Sequence, residues 1–361
     1  MRVAVAVVAL AGGAFAVAYW RSDNACAAGP TPAPVHPMFA IRYCDYGGPD
    51  VLSLAPVETP TPGTGDVLVR VHAAAVNPLE VHFMRGTPYI MRIQSGLRRP
   101  SDLRLGVDFA GRVAAIGAGV TQVKVGDDVF GAADGALAEY VVTRERSVVA
   151  KPATTTFEQA AAVPVAAVTA LQAVRDKGRV QAGQRVLVNG ASGGVGTFAV
   201  QIAKALGAEV TGVSSGRNSD LVRSIGAAHA IDYTTTDYTA GAARYDLIVD
   251  MVGNHSLLEN RQVLTANGTY VMVGGPEGRW VAPMDRAVRM MLLSPFVRQR
   301  MGMFIAALNR ADLVTLRDMM AAGTVTPVID RHFPLADVPA ALQYLETGRA
   351  RGKVVITVAG Q

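Results

Sequence analysis

Hydrophobic and polar positions follow two successive patterns along most of the chain. Between residues 39 and about 155, short apolar runs alternate with Gly, Pro and Asp, which predicts a β-rich segment with few helices. Between about 157 and 275, strand-length apolar runs alternate with helix-length patterns, as a doubly wound parallel sheet requires. The order predicts an α/β protein in which a β-rich catalytic domain is interrupted by an inserted nucleotide-binding domain.

In the second half of the chain, the sequence pattern predicts individual helices and strands. One helix ends before Gly207 and another before Gly323, because glycine accepts the left-handed conformation that ends a helix. These helices cover 195–206 and 312–322, and the strands cover 185–189, 209–213, 245–250, 268–273 and 353–358.

The N-terminal segment differs from the rest of the chain. Residues 3–20 form an uncharged, mostly apolar run with the length of a membrane span or a signal-peptide core. A secretory interpretation has a cleavage site at 25–27, whereas a membrane anchor uses 19–21 as its interfacial flank. A third interpretation is a misplaced start codon, because Met38 opens a strand-like run after a Pro-rich linker. The sequence leaves the three open.

Composition narrows the function classes. The chain has 361 residues, half of them hydrophobic, and a formal net charge of +5. Its basic residues are scattered, so we expect no nucleic-acid partner. The two cysteines, Cys26 and Cys44, can build neither a disulfide framework nor a four-cysteine zinc site.

A glycine-rich turn follows the predicted strand 185–189 and leads directly into a helix. Glycines at three positions let the backbone turn tightly, approach a pyrophosphate and pack helix against strand, while the helix N-terminus supplies N–H donors. The pattern departs from the usual form in carrying Ala191 at the first glycine position. The predicted phosphate-binding residues are Gly190, Ser192, Gly193, Gly194, Val195 and Gly196.

The next strand predicts the choice of nucleotide. An NAD site places an acidic residue at the tip of this strand to bind the ribose hydroxyls. Here the tip carries Ser214, Ser215 and Arg217 instead. Hydroxyls and a guanidinium suit a 2′-phosphate, so NADPH is the predicted cofactor. The alternative for Arg217 is a solvated residue at the start of a helix.

Several motifs, taken together, resemble one family: the zinc-free, quinone-reductase-like members of the medium-chain dehydrogenase/reductase superfamily. The likeness runs from Met38 to the C-terminus. It implies a GroES-like β-rich catalytic domain plus a doubly wound Rossmann domain. The motifs are 46–51, 77–80, 106–111, 125–127, 162–164, 169–171, the glycine-rich turn and 348–355.

Four segments follow from that interpretation. Residues 1–37 are a hydrophobic leader or membrane anchor with a Pro-rich linker, and 38–160 form the first part of the catalytic domain. The NADPH-binding domain is predicted at 161–300, and 301–361 return to the catalytic domain.

The resemblance also makes two absences informative. Zinc-dependent relatives carry a Cys where this chain has Asn77, and a His-Glu pair where it has Val107 and Asp108. The structural zinc loop of those relatives is replaced by the cysteine-free stretch 132–138. A zinc site needs three or four converging ligands, so no metal is expected.

Without a metal, the negative charge that develops on a reduced substrate must be stabilised by fixed donors. Asn77 is the first candidate, and by resemblance its position lies beside the nicotinamide; its alternative use is to cap a short helix. His82 and Tyr89 are candidate proton donors, although a lone His is more often structural.

The resemblance implies further cofactor contacts. Thr169 is similar to a threonine near the reactive end of the cofactor, with a core threonine as the alternative. Lys353 matches a basic residue near the cofactor, or is a solvated lysine. Tyr233 is expected near the adenosine phosphate, and Gly253, Val273 and Gly274 near the nicotinamide half.

The predicted function is NADPH-dependent, metal-free reduction of quinones, α,β-unsaturated carbonyls or related carbonyl compounds, with a small lipophilic substrate. Alternatives are an NAD(P)-dependent alcohol dehydrogenase and a non-catalytic NADPH-binding protein. Residues 276–304 would form an insertion over the cleft, suited to a lid, a dimer contact or a membrane surface. We expect a cytoplasmic location or attachment to the cytoplasmic face of a membrane through residues 3–20. The resemblance also implies a homodimer.

Overall fold

The computed structural model describes residues 33–276, 278–280 and 284–358, together with Tyr19 and Cys26. Strands β1 to β7 are Pro37–Tyr43, Leu52–Glu58, Asp66–Val76, Asp108–Ile116, Asp128–Ala132, Tyr140–Arg144 and Val148–Ala150. Strands β8 to β15 are Arg185–Asn189, Glu209–Ser214, His229–Asp232, Tyr245–Asp250, Leu264–Met272, Arg300–Met303, Ile329–Pro334 and Lys353–Thr357.

The α-helices of the described residues are short. Helices α1 to α5 are Pro78–Arg85, Arg92–Ser95, Phe157–Ala161, Pro164–Leu171 and Gly194–Ala205. Helices α6 to α10 are Ser219–Ser224, Leu257–Gln262, Met284–Leu293, Arg310–Ala321 and Val338–Glu346. Helix α4 continues as a π-helical turn over Gln172–Lys177.

The β-rich part is a seven-stranded sheet in the order β14-β15-β3-β4-β5-β7, with β6 also paired to β3. Alternating apolar residues of these strands face one core, because side chains of a strand point to opposite faces in turn. The last strand, β15, pairs antiparallel with β3, so that Val354 lies opposite Val76. The C-terminal part of the chain therefore returns to the sheet built by the N-terminal part.

The central part of the chain folds into a six-stranded parallel sheet in the order β10-β9-β8-β11-β12-β13. The predicted strands and helices lie within a few residues of the observed ones, and the predicted α/β fold class is confirmed. The sequence pattern did not predict β10 or β13. Both are four-residue strands whose side chains are exposed or half-buried, so they lack an apolar run. Strand β13 spans the predicted domain junction at 300 and 301.

The two sheets share one hydrophobic core. Ala73 and Phe130 of the seven-stranded sheet and Val186 and Val188 of the six-stranded sheet belong to a single cluster of buried side chains. Helices α4 and α5 pack between them. A backbone bridge joins Gly352, just before β15, to Gly193 of the glycine-rich turn. The site described below lies at this junction.

Of the predicted leader and linker at 1–37, the structure describes only Tyr19, Cys26 and residues 33–37. In the part of the chain that the structure describes, no helix is both long and apolar enough to cross a membrane. Cys26 and Cys44 form one disulfide bond, which ties the N-terminal segment to the end of β1.

Candidate functional site

The glycine-rich turn between β8 and α5 has the geometry of a phosphate-binding cradle. Gly190 has φ of +89°, a conformation that favours glycine. A Cβ on Gly196 would lie 2.1 Å from the carbonyl oxygen of Gly190, so only glycine allows this close approach of helix and strand. The N–H of Gly193 donates to the same carbonyl at 3.0 Å. Helix α5 begins at Gly194, and its first N–H groups are the donors that bind an anion.

The departure at Ala191 is accommodated by a glycine, Gly212, on the neighbouring strand β9. Ala191 is fully buried, and its N–H donates to the carbonyl of Val213 at 3.0 Å. A Cβ on Gly212 of β9 would come within 2.9 Å of the Ala191 methyl group, so glycine at 212 leaves the room that this methyl group occupies. Ser192, Gly193, Gly194 and Val195 are half-buried around the cradle, where a ligand can reach them.

The tip of β9 is joined to the cradle by Asn218, a residue that the sequence analysis missed. Its Nδ2 donates to Ser192 Oγ at 3.0 Å and to Ser215 Oγ at 3.2 Å. Its Oδ1 is buried and has no hydrogen-bond partner among the described residues. Ser214 is buried and donates to the carbonyl of Ser215, whereas Arg217 is exposed. The only sequence signal for Asn218 was its place directly after Arg217.

An acidic residue does lie near this tip, but on the neighbouring strand. Asp232 ends β10 and pairs in register with Ser214. Its carboxylate lies beside Gly216, where a Cβ would be 2.3 Å from Oδ2. Hydrogen bonds from the hydroxyl and N–H of Thr234 lower the pKa of Asp232, so it is ionised. The adjacent Tyr233 is exposed and donates its N–H to the carbonyl of Ser214.

Asn77 lies in a buried polar cluster between the two domains. Its Nδ2 donates to Asp108 Oδ2 at 3.0 Å, and its Oδ1 accepts from the ammonium of Lys353. The same ammonium lies 3.2 Å from Asp108 Oδ2. The N–H of Val165, in the first turn of α4, donates to Asp108 Oδ1 at 2.8 Å. All three cluster side chains are at most 4% exposed, so Lys353 is not a solvated lysine.

Glu80 completes this cluster from the first turn of α1. Its Oε2 accepts the backbone N–H of Asn77 at 2.7 Å, which is half of a capping box. Its Oε1 is buried without a hydrogen-bond partner among the described residues. Burial, and then the nearby Asp108 carboxylate, raise the pKa of Glu80 to about 7. Burial likewise raises the pKa of Asp108, although the Lys353 ammonium opposes it.

Lys353 connects this cluster to the cradle. The bridge between Gly352 and Gly193 brings its backbone to the glycine-rich turn. Its Cδ would be 3.3 Å from a Cβ on Gly194, which is close van der Waals contact. The predicted Asn77 and Lys353 are therefore brought together next to the predicted phosphate-binding residues.

Three other predicted residues make their contacts, within the described part of the chain, with groups outside the cluster. His82 Nδ1 is 2.9 Å from the carbonyl of Thr87, which fixes its ring at the end of α1. Tyr89 lines a cavity of about 410 Å³ and makes an edge contact with Trp280 at 5.2 Å between ring centroids. Thr169 is half-buried, and its hydroxyl donates to the carbonyl of Val165 in its own helix at 2.7 Å.

The nicotinamide-side loops predicted from the resemblance are held by Asp250, which the sequence analysis did not single out. Asp250 Oδ1 accepts the N–H of Gly253 at 2.8 Å and Nδ2 of Asn189 at 2.8 Å. Its backbone carbonyl accepts the N–H groups of Val273 and Gly274 at 2.8 and 3.3 Å. The available signal was a polar residue at the end of each of two adjacent buried strands, β8 and β11.

The residues present do not fit a zinc ion. Among the described residues, no group of three or more His, Cys, Asp or Glu side chains is placed to hold a metal. Both cysteines are bound to each other, and the Asp108 carboxylate already contacts an ammonium and two N–H donors. Zinc needs three or four converging ligands, and the described residues do not supply them at this site.

A parallel sheet with a glycine cradle, joined to a β-rich domain that supplies buried polar groups, defines the class of two-domain NAD(P)-dependent oxidoreductases. Comparison with known families agrees. Residues 63–153 match the family model described as an alcohol dehydrogenase GroES-like domain, and 225–356 match that of a zinc-binding dehydrogenase.

The chain belongs to the medium-chain dehydrogenase/reductase superfamily, in its quinone-oxidoreductase-like branch, as its motifs predicted. It is 35% identical over 331 residues to the mitochondrial NAD(P)H oxidoreductase RTN4IP1 of Bos taurus, covering 81% of this chain and 82% of that protein. It is 34% identical over 334 residues to 2-methylene-furan-3-one reductase of Solanum lycopersicum, covering 88% and 79%. The quinone oxidoreductase structure from Coxiella burnetii superposes with a TM-score of 0.79 at 30% identity, covering 90% and 100%.

Proposed function

We propose that this oxidoreductase uses NADPH to reduce a small lipophilic quinone, α,β-unsaturated carbonyl or related carbonyl compound without a metal. The observation that carries the proposal is the position of Asn77 and Lys353, which share a buried cluster beside the phosphate cradle. The names of two relatives, a furanone reductase and a quinone oxidoreductase, support the same substrate classes.

Asn77 and Lys353 have more N–H groups than they use within the buried cluster, so each has a donor for a substrate. An amide nitrogen carries two hydrogens and an ammonium three. Among the described residues, Asn77 Nδ2 donates only to Asp108, and Lys353 Nζ donates to Asn77 and Asp108. One N–H on each group is therefore available to a negatively charged oxygen. Reduced nicotinamide supplies the hydride, and these fixed donors stabilise the charge that appears on the substrate oxygen.

NADPH is preferred over NADH in this proposal because Ser215 and Arg217 stand at the tip of β9, and the strand carries no acid at that tip. A guanidinium binds a phosphate through two parallel hydrogen bonds. Asp232 contributes a negative charge nearby, but its oxygens already accept from Thr234 and Gly216.

Initial rates of NADPH and NADH oxidation, measured against a quinone, an enone and an aldehyde with and without a chelator, test the proposal. Arg217→Ala should raise KM for NADPH about tenfold, as the loss of a charged hydrogen bond predicts, and leave KM for NADH unchanged. The matched control is Arg223→Ala, another exposed arginine close by on α6. Chelator-sensitive activity would refute the metal-free mechanism, and NADPH binding without turnover would favour a non-catalytic protein.

For location, we propose membrane attachment through residues 3–20 with the domain on the cytoplasmic side, where NADPH is abundant. The disulfide between Cys26 and Cys44 opposes the cytoplasmic placement, since reducing compartments break such bonds. Alkylation of free thiols in intact cells tests whether Cys26 and Cys44 are reduced, as expected on the cytoplasmic side, or joined in the disulfide bond. Labelling of both cysteines only after reduction would overturn the cytoplasmic placement.

A further inference from the structure

Large apolar side chains are exposed on the segment that follows β12. Burying a side chain of this size is worth about 1.5–3 kcal/mol, so exposing several in one segment marks an interaction site. We call this set the insertion surface: Trp280, Val288, Met291, Leu292 and Phe296, which are 73, 52, 68, 64 and 82% exposed.

Helix α8 shows that this exposure is not an accident of poor packing. Met290 is 1% exposed and belongs to the core cluster on one face of the six-stranded sheet, and Ala287 packs against the same cluster. Val288, Met291 and Leu292 are spaced by three and four residues, so they share another face of the helix. The helix therefore has one apolar face in the core and a second apolar face in contact with solvent.

Charge identifies the partner that suits this surface. Residues 279–300 contain five arginines and one acidic residue, Asp285. Arg279, Arg298 and Arg300 are exposed, and Arg289 is 74% exposed beside Asp285. Arginines around exposed apolar and aromatic side chains are the composition of a segment that lies in an anionic lipid interface.

One described residue of the N-terminal segment, Tyr19, lies beside Trp280. Tyr19 lines the cavity of about 410 Å³ that Trp280, Tyr89 and Ile93 also line. In the sequence, Tyr19 stands at the end of the apolar run 3–20, whose length matches the hydrocarbon core of a bilayer. Trp and Tyr side chains prefer the boundary between hydrocarbon and water. A bilayer entered by residues 3–20 would therefore meet Trp280 at its surface.

We propose that the insertion surface docks onto an anionic lipid bilayer beside the entry point of residues 3–20. Leu292 and Phe296 insert among the acyl chains near the headgroups, and the arginines contact lipid phosphates. This contact gives the domain a second attachment besides the leader. It rests on the membrane attachment proposed above for residues 3–20, but not on the proposed reaction, because its test measures position and not turnover.

The chain has two tryptophans, Trp20 and Trp280. In a full-length Trp20→Phe protein, Trp280 alone reports on its surroundings. After reconstitution into phosphatidylcholine and phosphatidylglycerol vesicles with brominated acyl chains, we expect Trp280 emission to shift to the blue and fall by about half, as for an interfacial aromatic residue. Adding Leu292→Ser and Phe296→Ser should restore most of the emission, while the leader keeps the protein on the vesicles.

The matched control is Leu258→Ser on α7, which removes another exposed leucine side chain elsewhere, 56% exposed against 64% for Leu292, and should leave the quenching unchanged. Trp280 emission that is not quenched by bromolipid, yet open to iodide in water, would overturn the proposal. So would protection of Trp280 from iodide in detergent that increases with protein concentration, because a second copy would then cover the surface. Quenching that is as strong in vesicles without phosphatidylglycerol as in vesicles with it would refute the role of the arginines.

Discussion

The ammonium of Lys353 and the carboxylate of Asp108 lie 3.2 Å apart, and both side chains are almost completely buried. They come from different parts of the sequence, since β4 carries Asp108 and β15 carries Lys353. Their contact holds the Asn77 amide and, through the bridge of Gly352 to Gly193, ties the β-rich domain to the cradle. An ion pair at this place has consequences for both stability and cofactor binding.

Lys353→Met should destabilise the protein by about 3–5 kcal/mol, because it leaves the Asp108 carboxylate buried without its cation. The double variant Asp108→Asn with Lys353→Met should recover part of that loss, since a neutral amide still accepts the N–H of Val165. Urea unfolding of Lys353→Met, Asp108→Asn and the double variant measures the coupling free energy between the two side chains. Additive losses would show that the pair is not coupled.

The raised pKa of Glu80 predicts how the free energy of unfolding changes with pH. Its pKa is raised from 4.5 to about 7 in the folded protein, so between these values the folded state binds more protons than the unfolded chain. The stabilisation is complete below pH 4.5 and is lost as pH rises through 7, at a total of about 3 kcal/mol. Glu80→Gln keeps an acceptor for the N–H of Asn77 and should remove this slope.

Urea unfolding of both proteins at several pH values from 5 to 8 checks this prediction. Asp108 is present in both proteins, so the difference between the two curves reports the effect of the Glu80 carboxyl and of its interaction with Asp108. Parallel curves for the two proteins would mean that Glu80 is ionised in the folded state throughout this range.

The sequence predicted what depends on local pattern and left out what depends on distant contacts. The phosphate-binding cradle could be predicted because its three glycines, the preceding strand and the following helix are contiguous in the sequence around Gly193. Asn77 and Lys353 were named separately through family resemblance, but nothing in the sequence showed that Asp108 joins them. The sequence places Glu80 in a motif but does not predict its raised pKa, because that shift is caused by burial in the folded protein.

Gly196→Ala should abolish NADPH binding and lower stability, because its Cβ would overlap the carbonyl oxygen of Gly190 at 2.1 Å. The carbonyl belongs to the backbone and the Cβ is fixed to the Cα of residue 196, so the overlap cannot be relieved without shifting helix α5 away from β8. The control is Gly302→Ala on β13, where a Cβ meets nothing within 4 Å among the described residues. Fluorescence titration with NADPH and thermal unfolding measure the two effects. A Gly196→Ala protein with normal NADPH affinity would contradict the assignment of the cradle.

Asn218→Asp tests how the cradle and the tip of β9 cooperate in choosing the nucleotide. The aspartate keeps the size of the side chain. Asn218 Nδ2 donates to the hydroxyl oxygens of Ser192 and Ser215, whereas a carboxylate at 218 would accept from the two hydroxyls after they rotate. It adds a negative charge next to the position proposed for the 2′-phosphate. We therefore expect Kd for NADPH to rise about tenfold, from a repulsion of about 1.4 kcal/mol, with a smaller change for NADH.

Calorimetric titration with each nucleotide measures this difference, and the control is Asn267→Asp. That substitution adds the same charge in a different cleft, beside Asp246 and Arg300. It should leave both dissociation constants unchanged, since the charge is remote from the cradle and screened by salt. Equal weakening of NADPH and NADH by Asn218→Asp would mean that the 2′-phosphate does not lie at this tip, and that Asn218 acts only by supporting the loop.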